Sequence, residues 1–133
     1  MKETLSAEDR NALVEYRQER AKDSLKAADT LINNGFYVAA VNRLYYACYY
    51  VTIALLLKNN IAAQTHSGVK SMLGLHFVSK GLLSVEMGKI YSTLFSKWKR
   101  GDYDDFFYCD AELANELKKQ AESYIDAVSK LLV

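Results

Sequence analysis

Residues 36–57, FYVAAVNRLYYACYYVTIALLL, decide the fold. The polar members of this run are essentially Asn42, Arg43 and Thr52, and four tyrosines stand at 45, 46, 49 and 50. By length and apolarity alone it could pass for a membrane span. A central arginine costs about 2.5 kcal/mol or more on insertion scales, and the tyrosines would carry hydroxyls to mid-bilayer. A helix apolar nearly all round is otherwise the centre of a bundle in water. The run therefore reads as the core helix of a cytoplasmic protein with no membrane partner.

The rest of the composition agrees. The chain has 133 residues with 17 Lys+Arg and 16 Asp+Glu, a net charge of +1. That length suits a single domain over residues 1–133, one able to bury roughly 65–70% of its unfolded surface. There are six glycines and no proline, whereas ordinary usage of about 5% would supply about 7 prolines. Folds rich in β-turns depend on those residues, so an all-helical domain is expected. Disordered, collagen-like and disulfide-stapled classes are excluded. Cys48 and Cys109 form no CxxC pair, so neither a zinc ribbon nor a disulfide framework is present. Cys48 reads as a small buried hydrophobe. The N-terminal stretch has no apolar core of the kind a signal peptide needs.

Outward from the central run, Ser6 followed by Asp9 resembles a capping box at the start of a long first helix. Leu13, Tyr16/Arg17, Arg20/Ala21, Leu25, Ala28 and Leu31/Ile32 recur at helical spacing, and Asn33-Asn34-Gly35 supplies a C-cap. After the second helix, which ends at Asn59-Asn60, a polar link over 62–67 leads to a short helix around Val69–Phe77. Ser84 caps the next helix, with Ile90, Tyr91, Leu94, Phe95 and Trp98 as its apolar stripe and Gly101 as its stop. Asp110 caps a last helix whose face is Ala114, Leu117, Ala121, Tyr124/Ile125, Val128 and Leu131/Leu132. The expectation is an up-and-down antiparallel bundle of four main helices plus one short helix.

Polar residues against this pattern mark the candidate site. At about 100° per residue, Asn42, Arg43, Tyr46 and Tyr50 share one sector of the second helix. A buried arginine needs a carboxylate or several carbonyls, and Asp102, Asp104 and Asp105 are the acidic candidates. Arg43 is then either half of a core ion pair or a group presented to a ligand phosphate. The charge is also uneven: residues 58–100 carry seven Lys/Arg and one acid, a net +6, while 101–133 carry three lysines and eight acids, a net −5. Those segments either neutralise each other on packing or leave a basic surface edged by Lys97, Lys99 and Arg100. Trp98 and Tyr103 could add stacking surface, although Trp98 also continues the core stripe. His66 lies at a helix start, where hydrogen bonding to the turn is its simplest role. No Glu-x-x-His, HExxH, P-loop or GxGxxG occurs, so no metal or cofactor is expected.

The run Ala39-Ala40-Val41-Asn42-Arg43-Leu44-Tyr45-Tyr46-Ala47 resembles the A-x-S/N-R-x-Y-Y-A signature of HEPN domains. Thr65-His66-Ser67-Gly68-Val69 is similar to the T-H-S-G-V of small stand-alone members. Lys99-Arg100-Gly101-Asp102-Tyr103 resembles their R-x-x-A-D-Y element, and Ala121-Glu122-Ser123-Tyr124 their closing A-E-x-F helix. The resemblance runs from about residue 17 to 132.

It implies a helical bundle that commonly forms a homodimer, with a cleft near the dimer interface, often encoded beside a minimal nucleotidyltransferase in a toxin–antitoxin-like pair. Active members are metal-independent ribonucleases with an arginine, four to six residues, then a histidine. There the arginine holds the scissile phosphate and the histidine serves as acid or base. In this chain the positions after Arg100 hold Asp105, Phe106 and Phe107, and no histidine follows His76. The leading expectation is a HEPN module binding nucleotide or RNA and partnering a nucleotidyltransferase. Its candidate site residues are Asn42, Arg43, Tyr46, His66, Arg100, Asp102 and Tyr103. The alternatives are a ribonuclease toxin with an atypical catalytic constellation around Arg100 and His66, or a non-catalytic interaction scaffold.

Overall fold

Ser6 begins the first helix as its spacing predicts: its Oγ accepts the Asp9 N–H at 3.0 Å, and α1 runs Ala7–Asn33. The computed structural model describes residues 5–103 and 107–133, with the backbone alone at 102 and 103. Gly35 and Gly81 take positive φ values of 80° and 73°, the left-handed conformation that glycine adopts without a Cβ penalty. They separate α1 from α2 (Tyr37–Lys58) and precede α4 (Val85–Tyr103). Between α2 and α4 lie α3 (His66–Leu73) and a π-helical turn, Gly74–Val78. α5 (Ala111–Leu131) starts at Asp110, whose Oδ1 accepts the Leu113 N–H at 2.9 Å. The described residues contain helices and no strand.

Side-chain contacts set the helix directions. Arg17 bonds the Ile53 carbonyl and Arg20 the Tyr50 hydroxyl, so α2 runs against α1. Gly101 lies beside Val38 and Tyr91 beside Tyr45, so α4 runs against α2. Cys48 and Thr52 meet Ala121 and Tyr124 in step, so α5 runs parallel to α2. The order is up-down-up-down, as expected.

α2 touches α1, α4 and α5, and half of its 22 residues are buried. This explains the uniform apolarity of the quoted run. α2 is long and apolar enough to cross a membrane, but here the other helices cover it. Leu44, Tyr45 and Leu55 are completely inaccessible, and burying side chains of this size is worth roughly 1.5–3 kcal/mol each. The expected stripe of α4 is buried from Ile90 to Trp98, and that of α5 from Ala114 to Val128.

Three local expectations are corrected. The inner face of α1 is Val14, Ala21, Ser24, Ala28 and Ile32, whereas Tyr16 and Arg20 are exposed. Small residues dominate that face because α1 lies along α2, and bulkier neighbours such as Leu25 flank the contact. The short helix starts at His66, not Val69, because Thr65 caps it: the Thr65 Oγ1 accepts the Gly68 N–H at 2.9 Å. Gly101 does not stop α4, which continues to Tyr103. The turn-forming glycines have positive φ and Gly101 does not; it instead lies close to Val38 and Phe107.

Candidate functional site

The second helix presents two kinds of surface. Its inner side is sealed, while Asn42, Arg43, Tyr46, Tyr49 and Tyr50 are only half-buried. Asn42 Oδ1 accepts from the Arg43 guanidinium at 3.3 Å, and that guanidinium lies 4.9 Å from the Tyr46 ring centroid. A cation held over an aromatic face is attracted by the ring quadrupole. Arg43 is therefore positioned by neutral groups at the edge of the bundle, and it is not the buried charge envisaged from sequence. Of the acids considered as its core partner, Asp104 and Asp105 lie outside the described residues, as does the side chain of Asp102.

His66 joins this face from α3. Its ring stacks between Tyr49, at 4.4 Å and 25°, and Trp98, at 4.6 Å and 29°. The Tyr45 hydroxyl meets His66 Nδ1 at 2.7 Å, and Tyr45 itself stacks on Trp98 at 4.6 Å and 15°. Thr65 caps the turn through the Gly68 N–H, and the His66 imidazole lies within the aromatic cluster. Burial pushes the Tyr45 phenol well above its ordinary value, so it stays protonated near neutrality. A neutral hydroxyl can donate to bare Nδ1 or accept from Nδ1–H. The ring is thus oriented whether or not Nδ1 carries a proton.

The other candidates fall around this cluster. Trp98 is buried, as the core stripe implied, yet it is also one wall of the histidine site. Arg100 stands on the exposed side of the last turn of α4, its guanidinium 5.6 Å from the Phe107 ring centroid. His66 thereby reaches the same helix end as Arg100, through Trp98. Asp102 and Tyr103 close α4, and their side chains lie outside the described residues. A cavity of about 340 Å³ opens beside the cluster, lined by Val38, Asn42, Lys97, Trp98 and Gly101 among others.

Sequence reasoning missed Tyr45 and Tyr49 as the groups that hold His66. The doublets 45/46 and 49/50 put hydroxyls four residues apart on one helix face, a signal that was present but had no visible partner. Among the described residues, ion pairs join Lys22 to Glu19, Lys118 to Asp29 and Lys130 to Asp126. They lie within α1, between α5 and α1, and within α5. No group of three metal-ligating side chains occurs among the described residues.

The match to known proteins covers most of this architecture. HEPN domains match residues 14–131. The chain belongs to the HEPN family. A UPF0332 protein of Thermotoga maritima is 35% identical over 93% of this chain and 94% of its own length. Two proteins of Methanocaldococcus jannaschii, each named "Putative toxin", are also similar. One is 35% identical over 94% of this chain and 90% of its own, and the other 32% identical over 86% and 78%. Within this HEPN chain the described histidine at the polar face, His66, comes from the start of α3.

Proposed function

We propose that this HEPN protein binds the phosphate-bearing groups of a nucleotide or RNA at the face formed by α2, the start of α3 and the end of α4. The observation that carries the reading is the fixed imidazole of His66, clamped by Tyr49 and Trp98 and oriented by the Tyr45 hydroxyl. Arg43 lies over the Tyr46 ring, itself 5.8 Å from His66, and Lys97 borders the cavity with Trp98; each offers donors to phosphate oxygens. Half-buried tyrosines supply π-faces on which bases can stack. The family resemblance supports a homodimer and a minimal nucleotidyltransferase as partner, acting in the cytoplasm. A short labelled RNA should bind the purified chain, and Arg43→Ala should weaken it. Equal binding by that variant would place the ligand elsewhere.

A second reading follows from the same imidazole. Ribonuclease chemistry without metal needs a positioned acid–base group beside a cation, and His66 with Arg43 or Arg100 meets that requirement in kind. Its similarity to chains named as toxins adds support. On this reading, RNA is cleaved in the presence of a chelator, and His66→Ala abolishes cleavage while leaving RNA binding measurable. Cleavage that survives His66→Ala would remove the histidine from the chemistry.

A further inference from the structure

The polar face does not stop at α2. Arg20 of α1 bonds the Tyr50 hydroxyl at 2.7 Å and the Tyr16 hydroxyl at 3.1 Å, with its guanidinium 4.7 Å from the Tyr50 centroid. One turn earlier, Arg17 donates to the Ile53 carbonyl at 3.1 Å and borders a cavity of about 320 Å³ with Tyr49, Ile53, Ile61 and Gln64. The rings are continuous: Tyr50 lies 5.9 Å from both Tyr46 and Tyr49, and these lie 5.8 and 4.4 Å from His66.

Arg17, Arg20 and Arg43 share one property. Each is oriented by neutral acceptors or rings, and among the described residues none pairs with a carboxylate. This is notable on α1, whose Glu19 is engaged by Lys22 instead. A guanidinium held without being neutralised keeps its full charge for an external anion. From residue 43 to residue 53 the helix rises ~15 Å, so the three cations are spread along a line.

We infer that Arg17 and Arg20 of α1 extend the ligand face into a track for the backbone of single-stranded RNA, leading across Tyr50 and Tyr49 to His66. Cations supply contacts to successive phosphates and tyrosines the stacking surface, the combination that binds single strands without reading sequence. This extension rests on the RNA-binding reading above, and the test separates the two.

The full chain is titrated against a fluorescently labelled oligouridylate over a range of salt. Arg20 is exposed and sits mid-helix, where alanine is favourable, so Arg20→Ala should fold. It should weaken binding about three- to tenfold and reduce the salt slope by about 0.7, the value for one single-strand phosphate contact. Arg20→Lys should restore the slope, and Lys22→Ala should match wild type. If wild type binds and Arg43→Ala weakens it while Arg20→Ala does not, the track is overturned and the α2 site stands. If Arg20→Ala leaves RNA affinity intact but dissociates a dimer in sedimentation, the face is a contact between copies and the track is again overturned. If wild type does not bind the oligonucleotide, both readings fall.

Discussion

Two tyrosine hydroxyl pairs made by α2 use the same chemistry at different depths. In the first, the Tyr124 hydroxyl meets Thr52 Oγ1 at 2.6 Å, and both residues are completely inaccessible. Thr52 spends its proton on the Cys48 carbonyl at 2.7 Å, so Tyr124 must be the donor. In the second, the equally inaccessible Tyr45 meets His66, which is only half-buried. The first pair is closed, because every polar atom is answered by another core group. The second carries a buried hydroxyl's orientation outward to a titratable ring at the surface. One pair holds α5 to α2, and the other aims a histidine.

Emptying a core position of the helix that carries both pairs should have the largest effect. Leu44→Ala empties a completely buried position beside Tyr45, so denaturant unfolding should show about 2–5 kcal/mol of destabilisation. A loss below 1 kcal/mol would mean that α2 is not the core helix. Thr52→Val comes next. It strands the Tyr124 hydroxyl in the core, which costs about 1–3 kcal/mol, with no change in RNA binding.

Tyr45→Phe sharpens the contrast, since its partner can turn to water. Its stability cost should be smaller, about 0.5–1.5 kcal/mol, but it should weaken ligand binding or shift its pH dependence by freeing the imidazole. If Tyr45→Phe and Thr52→Val act alike on stability and binding, the two pairs do not differ in role.

High pH tests the shared feature. Burial raises the phenols of Tyr45, Tyr91 and Tyr124 above their ordinary value, which is about 10. The unfolded chain therefore loses these protons first. The stabilisation is complete below that value and is lost as pH rises through the folded-state values. Unfolding monitored with ultraviolet phenol absorbance should show stability falling above about pH 10, with the three buried phenols ionising only on unfolding. Their ionisation within the folded chain would contradict the burial.

Local features of this protein are legible in its sequence. Ser6, Thr65 and Asp110 accept N–H groups three residues ahead, and Gly35 and Gly81 need only their own backbone angles. The apolar stripes of α4 and α5 are likewise periodic, so the bundle could be read before it was seen. The α1 face was read less well, because spacing alone weighs Tyr16 like Val14, whereas close packing against α2 selects the smaller set.

The site was legible only as a set of parts. Asn42, Arg43 and Tyr46 declare themselves as a polar stripe on one helix. His66 enters the candidate set through the family resemblance and Trp98 as possible stacking surface, but their contact could not be read, because it joins α2, α3 and α4 across long stretches of chain.

Caps and periodicity act within a few residues, and they are enough to make a helical bundle around residues 37–58. That His66 stands between Tyr49 and Trp98, and that Arg17 and Arg20 share a face with Arg43, comes from packing between helices. Those contacts depend on the rotation of each helix about its own axis, which is set by how side chains from separate helices fit together.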